Sequence, residues 1–364
     1  MNRNRMNKKR MGRARVLSRA AAGMLAAALC FQPMTALAGP AGDSSLTSSS
    51  SNAGPGGGSG SSNSGSTGSS GGSTSVSNGG VSAVTSGLGV YRVTENEGIG
   101  AIARGVDVSY WQQNVNWSQV ASDNVQFAML ATRFRGNVDP FFAMNAANAS
   151  QAGLRLGAYI YSYATSVEMA QQEADFVLNL IKDYPISFPV VFDAEDANTL
   201  GTLTQSQVSD VINAFCKRIQ DAGYYPMVYA NEYWIANKID MSKISYDIWV
   251  AKYQQKYTYS KTSMWQASNT GSVKGVNGNV DIDYLYKDYT QIIPGNTWRT
   301  IAGNRYYYQN HVMQKSAWIN DGQNWYYMNA AGNPSKGWLE LSGKKYYLEA
   351  DGHMITGWKT LDGG

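Results

Sequence analysis

Phe188-Pro189-Val190-Val191-Phe192-Asp193-Ala194-Glu195 is the stretch on which the reading of this chain turns. An apolar run this short, ending in acids, reads as a strand buried on both faces. Side chains alternate along a strand, so Asp193 and Glu195 leave it on the same side. Two carboxyl groups at close range resist joint ionisation, and one can keep its proton near neutral pH. That is the equipment of acid-assisted glycoside cleavage. An acidic pair closing a turn is the plainer alternative.

Strand-like and helix-like segments alternate on both sides of this run. Before it come strands at Gly105–Ser109, Val125–Arg133 and Leu156–Tyr163, with helices at Phe141–Ala152 and Val167–Ile181. After it come a helix at Val208–Ala222, stopped by Gly223, and strands at Met227–Ala230, Ile248–Ala251, Met264–Ala267 and Val280–Leu285. The alternation predicts an α/β fold, a TIM-like β/α barrel of parallel strands over residues 105–287 that tolerates irregularity. In such barrels the active site lies at the C-terminal strand ends. The acids there are Asp107, the Asp193/Glu195 pair, and Asp281 with Asp283, two residues apart on one face. Barrel closure brings the first and last strands together, so Asp107 and Asp281 are expected to be neighbours. Tyr159, Tyr161 and Tyr163 share a face of the third strand, and Tyr229, Trp249 and Trp265 end later ones. Tyr159 and Trp249 read as ordinary barrel packing.

Composition narrows the chemistry. The two histidines, His311 and His353, both lie near the C-terminus, so a Ser-His-Asp triad, a Cys-His dyad or a histidine-ligated zinc site cannot be built between Gly105 and Lys287. Cys216 stands alone once Cys30 is assigned to a leader, and its setting on an apolar helix face reads as a buried core thiol. Carboxylates remain, and no metal or cofactor is called for.

Residues 1–38 read as a secretory signal peptide: a basic front, an apolar stretch from Ala20 to Phe31, and Ala36-Leu37-Ala38 as cleavage site. They carry eight of the 30 Lys/Arg and none of the 26 Asp/Glu, so the remainder holds 22 basic and 26 acidic residues, a formal charge of −4. Neither a nucleic-acid partner nor, after cleavage, a membrane is expected. Residues 39–82 are mostly Ser and Gly and read as a disordered tether. Residues 83–104 are ambiguous, with Val90–Val93 a candidate short strand.

Gly105-Val106-Asp107-Val108-Ser109-Tyr110-Trp111-Gln112 resembles the opening of the family 25 glycoside hydrolases, the Chalaropsis-type lysozymes. Phe188–Glu195 matches that family's Asp-x-Glu strand. Tyr229-Ala230-Asn231, Trp249-Val250-Ala251-Lys252-Tyr253, Trp265-Gln266 and Gly278-Asn279-Val280-Asp281 follow in the family's order. The resemblance implies hydrolysis of the β-1,4 bond between N-acetylmuramic acid and N-acetylglucosamine in peptidoglycan. It implies Glu195 as general acid, Asp193 beside the substrate's acetamido group, and Asp107 and Asp281 holding the sugar. Tyr161, Tyr229 and Trp265 would contact substrate, with Asp283 in reserve for Asp281. Substrate assistance, a carboxylate nucleophile and inversion all stay open. Ile160 stands where many family members carry an aromatic residue or histidine. A non-catalytic wall-binding protein with a retired hydrolase domain, or a hydrolase of another amino-sugar polymer, are the competing functions.

Residues 296–364 repeat. Trp298, Trp318, Trp338 and Trp358 recur every 20 residues, with Tyr307, Tyr327 and Tyr347 in register. Such a period predicts a stack of β-hairpins. The units resemble choline-binding and glucan-binding cell-wall repeats, which implies ligand contacts at Trp318, Trp325, Trp338, Tyr346 and Trp358, and a wall-associated secreted protein. Aromatic cages suit quaternary ammonium groups such as teichoic-acid choline. Arg305 and Lys345 stand where Trp325 sits in the middle unit, which keeps a wall carbohydrate open as the ligand. The chain stops at Gly364 inside the turn of an unfinished hairpin, and further repeats are expected beyond it.

Overall fold

The computed structural model describes residues 82–253, 255–358 and 360. The leader read over 1–38, the tether up to residue 81 and the final turn at Gly364 lie outside the described residues. No described helix is long and apolar enough to cross a membrane.

The lead-in forms a hairpin, β1 (Ser82–Ser86) and β2 (Gly89–Val93), with Tyr91 buried beneath it. Asn124 ties its backbone to the barrel through both bonds to Arg92. Leu88 at the hairpin turn packs, with Ile102, against the cluster that fills the barrel.

The barrel strands are β3 (Ala103–Val108), β4 (Phe127–Ala131), β7 (Arg155–Tyr161), β8 (Ile186–Asp193), β9 (Pro226–Asn231), β10 (Asp247–Ala251), β11 (Thr262–Gly271) and β12 (Val280–Leu285). A small hairpin, β5 (Arg133–Phe134) and β6 (Asn137–Val138), follows β4. The helices are α1 (Trp117–Ser122), α2 (Phe142–Gln151), α3 (Val167–Ile181), α4 (Gln205–Asp221) and α5 (Glu232–Asn237). The eight strands close in the order β3-β4-β7-β8-β9-β10-β11-β12. The expected α/β barrel is thus present, followed by the expected hairpin repeats, with one correction. β12 runs antiparallel to both β11 and β3, where a parallel sheet was expected. No helix separates β11 from β12, and a short connection can only bring the chain back in the opposite direction.

Inside the barrel, residues such as Phe127, Met129, Phe188, Met227 and Trp249 fill the space between strands. Gly105 makes room for them: a Cβ there would lie 2.3 Å from the Phe127 ring. Pro189 has no N–H for a central strand, and the register between β7 and β8 slips between Leu156 and Ala158, where Ile186 and then Val190 are the partners. The alternate residues face an outer layer under the helices, which includes Cys216, fully buried, its thiol pushed up by burial.

The repeats begin with β13 (Thr297–Ile301), β14 (Asn304–Gln309) and β15 (Val312–Met313). The pairs β16 (Ala317–Asn320) with β17 (Trp325–Met328) and β18 (Gly337–Leu341) with β19 (Lys344–Leu348) follow. The first unit does not stand apart from the barrel. Ile301, Tyr306, Tyr308 and Met313 join the barrel's outer apolar cluster. The buried Arg299 guanidinium lies between two rings, 3.8 Å from the Tyr224 centroid and 4.3 Å from that of Tyr308. Tyr308 donates its hydroxyl proton to the Lys182 carbonyl at 2.8 Å. The separation drawn in the sequence between 287 and 296 therefore cuts through continuous packing.

Candidate active site

A cavity of about 420 Å³ opens at the barrel mouth, lined at its base by Asp107, Asp193, Glu195 and Asp281. Alternation delivers the first pair. Val190, Phe192 and Ala194 pack in the outer layer, while Val191 faces the barrel interior and Asp193 and Glu195 the cavity. Asp193 is held by its own backbone, whose carbonyl accepts from the Ser162 N–H. The second pair comes from barrel closure: Asp281 lies directly opposite Asp107 across the β12–β3 ladder.

Burial sets the electrostatics. It holds the Asp107 carboxyl well above the usual range, with Asp281 and Asp283 adding to the effect. Burial, then Glu195 and Asp196, does the same to Asp193. Glu195 is raised by burial and next by Asp281 and Asp196, and Asp281 is raised by burial to about 6. Asp107 and Asp281 share a hydrogen bond that raises the first and lowers the second. Two carboxylates cannot share one without a proton, so the pair retains it on Asp107.

Gln266 organises this pair. Its Nε2 donates to Asp107 Oδ2 at 2.7 Å, while its Oε1 accepts from the Tyr229 and Tyr253 hydroxyls, each at 2.8 Å. Asp193 is different. Among the described residues its buried Oδ1 has no hydrogen-bond partner, which leaves an acceptor facing a site where substrate would sit. Tyr161 lines the cavity with its hydroxyl donated to Asp196 at 3.1 Å.

Two residues expected at the mouth are elsewhere. Trp265 is buried in the outer layer, packed edge-on against Tyr257, with its Nε1 donating to the Lys252 carbonyl. The inward residue of that strand end is Gln266. Asp283 shares the inward face with Asp281 but is fully buried and absent from the cavity wall, its Oδ1 accepting from Trp249 Nε1 at 3.0 Å. The reason is strand direction: β12 descends from the mouth, so its second residue, Asp281, lies above its fourth, Asp283, instead of below. Trp249 and Tyr159, read as packing, are buried and half-buried rings that also contribute to the cavity wall. Trp111, Arg133, Phe134, Arg135 and Tyr253 complete it and were not anticipated. Trp111 and Tyr253 lay inside quoted motifs, which was the available signal.

In the repeats, Trp318 meets Tyr327 of its own hairpin and Tyr346 of the next, at 5.4 and 4.8 Å. One period earlier, Trp298 meets Tyr307 and Tyr326 in the same way, at 5.1 and 4.9 Å, and the Arg305 guanidinium lies over its ring at 4.1 Å. Trp338 contacts Tyr347. Trp325 and Trp358 are exposed and make no ring contact among the described residues.

Comparison with known proteins places both parts of the chain in known families. The model of glycosyl hydrolases family 25 matches residues 106–276, and that of the choline-binding, cell wall binding repeat matches 316–333 and 336–354. Protein YegX of Escherichia coli K12, itself uncharacterised, is 31% identical over 189 residues, 49% of this chain and 68% of its own length. Lysozyme M1 of Streptomyces globisporus is 30% identical over 195 residues, 49% of this chain and 66% of its own. A bacterial lysozyme structure from Streptomyces coelicolor aligns at 25% identity and a TM-score of 0.43, over 52% of this chain and 95% of that one. With its barrel, its ordered motifs and its hairpin repeats, the chain belongs to family 25 of the glycosyl hydrolases and carries choline-binding-type cell-wall repeats.

Proposed function

We propose that this protein is a secreted muramidase that cleaves the β-1,4 bond between N-acetylmuramic acid and N-acetylglucosamine in peptidoglycan. The observation that carries the reading is the placement of Asp193 and Glu195 side by side in the cavity, both with raised proton affinity. A carboxyl above its ordinary range holds its proton into the weakly acidic region and can deliver it to a leaving oxygen. Glu195, the less buried of the two, is that general acid. Asp193, with a buried oxygen lacking a donor, receives the substrate's acetamido N–H. Asp107 and Asp281 hold the sugar, and Asp281 tunes Glu195 electrostatically. The relative named as a lysozyme supports the substrate class.

The repeats hold the enzyme on the wall. The Arg305 guanidinium over the Trp298 ring is a favourable cation contact in the first unit, and it supports a quaternary ammonium ligand at the Trp318–Tyr346 pair of the next.

The test is mass spectrometry of soluble fragments released from purified peptidoglycan by the full chain, after borohydride reduction. Reduced muramic acid ends support the proposal, and Glu195→Gln should lower their release about 10²–10⁴-fold. Reduced glucosamine ends would move the cleaved bond. Fragments from chitin alone would move the substrate, and none from either would leave a wall-binding protein.

A further inference from the structure

The cavity carries four acids at its base and two arginines on its wall. Arg133 is committed: its Nη2 lies 2.6 Å from Glu173 Oε1 and 2.6 Å from the Tyr161 carbonyl oxygen, pinning the end of β7. Arg135 is not. It is exposed and forms no ion pair among the described residues.

Its position in the chain is unusual. The β5–β6 hairpin turns on two residues, Arg135 at φ 48° and Gly136 at φ 81°. A two-residue turn with both φ positive favours Asn-Gly, and a long unbranched side chain gains nothing from the left-handed region. The arginine there is nevertheless well placed. Its guanidinium carbon lies 5.0 Å from the Phe134 ring centroid. Phe134 in turn stacks on Tyr110 at 4.0 Å and meets Trp111 edge-on at 5.7 Å. A cation is thus set on an aromatic shelf beside the cavity.

Asp281, raised only to about 6, is charged at neutral pH and repels an acid-bearing glycan while leaving a neutral one unaffected. We propose that Arg135 is a specificity-determining residue that receives a carboxylate of the glycan strand and so favours muramic-acid-containing polymers over neutral amino-sugar polymers. This rests on the peptidoglycan reading above. Such strands offer the carboxylate from two sources: the lactyl group of muramic acid where the stem peptide is absent, and the stem peptide where it is present. A guanidinium takes either in the same bidentate manner.

The experiment compares the full-length wild type with Arg135→Asn and Arg135→Lys on peptide-free strands, on peptide-bearing strands, and on both after conversion of their carboxylates to methylamides. Asparagine suits the turn, so Arg135→Asn should melt no lower than wild type. Its KM on carboxylate-bearing strands should rise about tenfold with kcat within about twofold, as expected for loss of one charge-assisted hydrogen bond. Arg135→Lys should recover part of the KM. On methylamide strands wild type and Arg135→Asn should share one KM. Added salt should raise the wild-type KM on carboxylate strands and leave it unchanged on methylamides, a readout independent of any variant. A defect on peptide-free strands assigns the lactyl carboxylate, and one confined to peptide-bearing strands assigns the stem. An active wild type whose KM is indifferent to the substitution, to salt and to carboxylate blocking overturns the role of Arg135 and leaves the muramidase intact. A wild type that cleaves none of the strands overturns both.

Discussion

Replacing Asp281 by asparagine should stabilise the protein at neutral pH and do so only there. Asp281 is raised in the folded chain from 3.8 to about 6. Its proton is therefore held by the folded state and released by the unfolded one across that interval, and stability falls as pH rises through it. At about 1.36 kcal/mol per unit, and allowing for the solvent that reaches this side chain, the cost at pH 7 is about 2–3 kcal/mol. Asparagine carries no such cost and can still accept the Asp107 proton. It also removes the charge that helps to raise Asp107 and Glu195. The assay is urea unfolding of the full chain and of Asp281→Asn at half-unit steps from pH 3.5 to 7.5. The stability difference should climb from its low-pH value by about 2–3 kcal/mol and level off above about pH 6.5. Because Glu195 loses a neighbouring charge, the alkaline limb of the activity profile should move to lower pH. A stability difference that is flat in pH, or one that shrinks as pH rises, would refute the reasoning, because Asp281 would then not hold a proton above the ordinary carboxylate range.

Gln266→Leu removes the donor to Asp107 and strands the buried Tyr229 hydroxyl, so it should cost about 1–3 kcal/mol of stability, checked by thermal and urea melting. Trp318→Ala should lower retention on a quaternary-ammonium resin about tenfold or more while leaving cleavage of short soluble strands unchanged, since it removes one ring of the Trp318–Tyr346 pair and lies in the repeats, outside the barrel.

Much of this architecture could be read from residue order. All eight barrel strands coincide with apolar runs in the sequence, because a strand packed on both faces carries mostly apolar residues and admits polar ones only where they line a site or find a partner. The short helices Trp117–Ser122 and Glu232–Asn237 escaped notice, as six residues give too few turns for a helical period to show. Strand direction was equally hidden. Alternation has the same pattern read forwards or backwards, so nothing in Val280–Leu285 reveals that it runs against its neighbours. That one reversal explains why Asp283, correctly assigned to the inward face, lies beneath the site. The error at Trp265 has another origin. Met264-Trp265-Gln266-Ala267 is flanked by apolar packing on both sides, so the parity that sends the glutamine inward and the indole outward is invisible until the neighbouring strands are placed. Arg135 reaches the cavity from a hairpin turn, a position that hydrophobic patterning does not address.

The seating of Arg299 between Tyr224 and Tyr308 bears on how the enzyme works a surface. Were the hairpin stack joined to the barrel by slack chain, an anchored molecule could sweep its mouth over every strand within a hemisphere. Because the first hairpin is embedded in the barrel's flank, the stack acts instead as a handle of fixed bearing. On the function proposed above, gripping the wall also aims the cleft, so that the strands within reach are those crossing a narrow zone at a set angle and offset from each anchoring point.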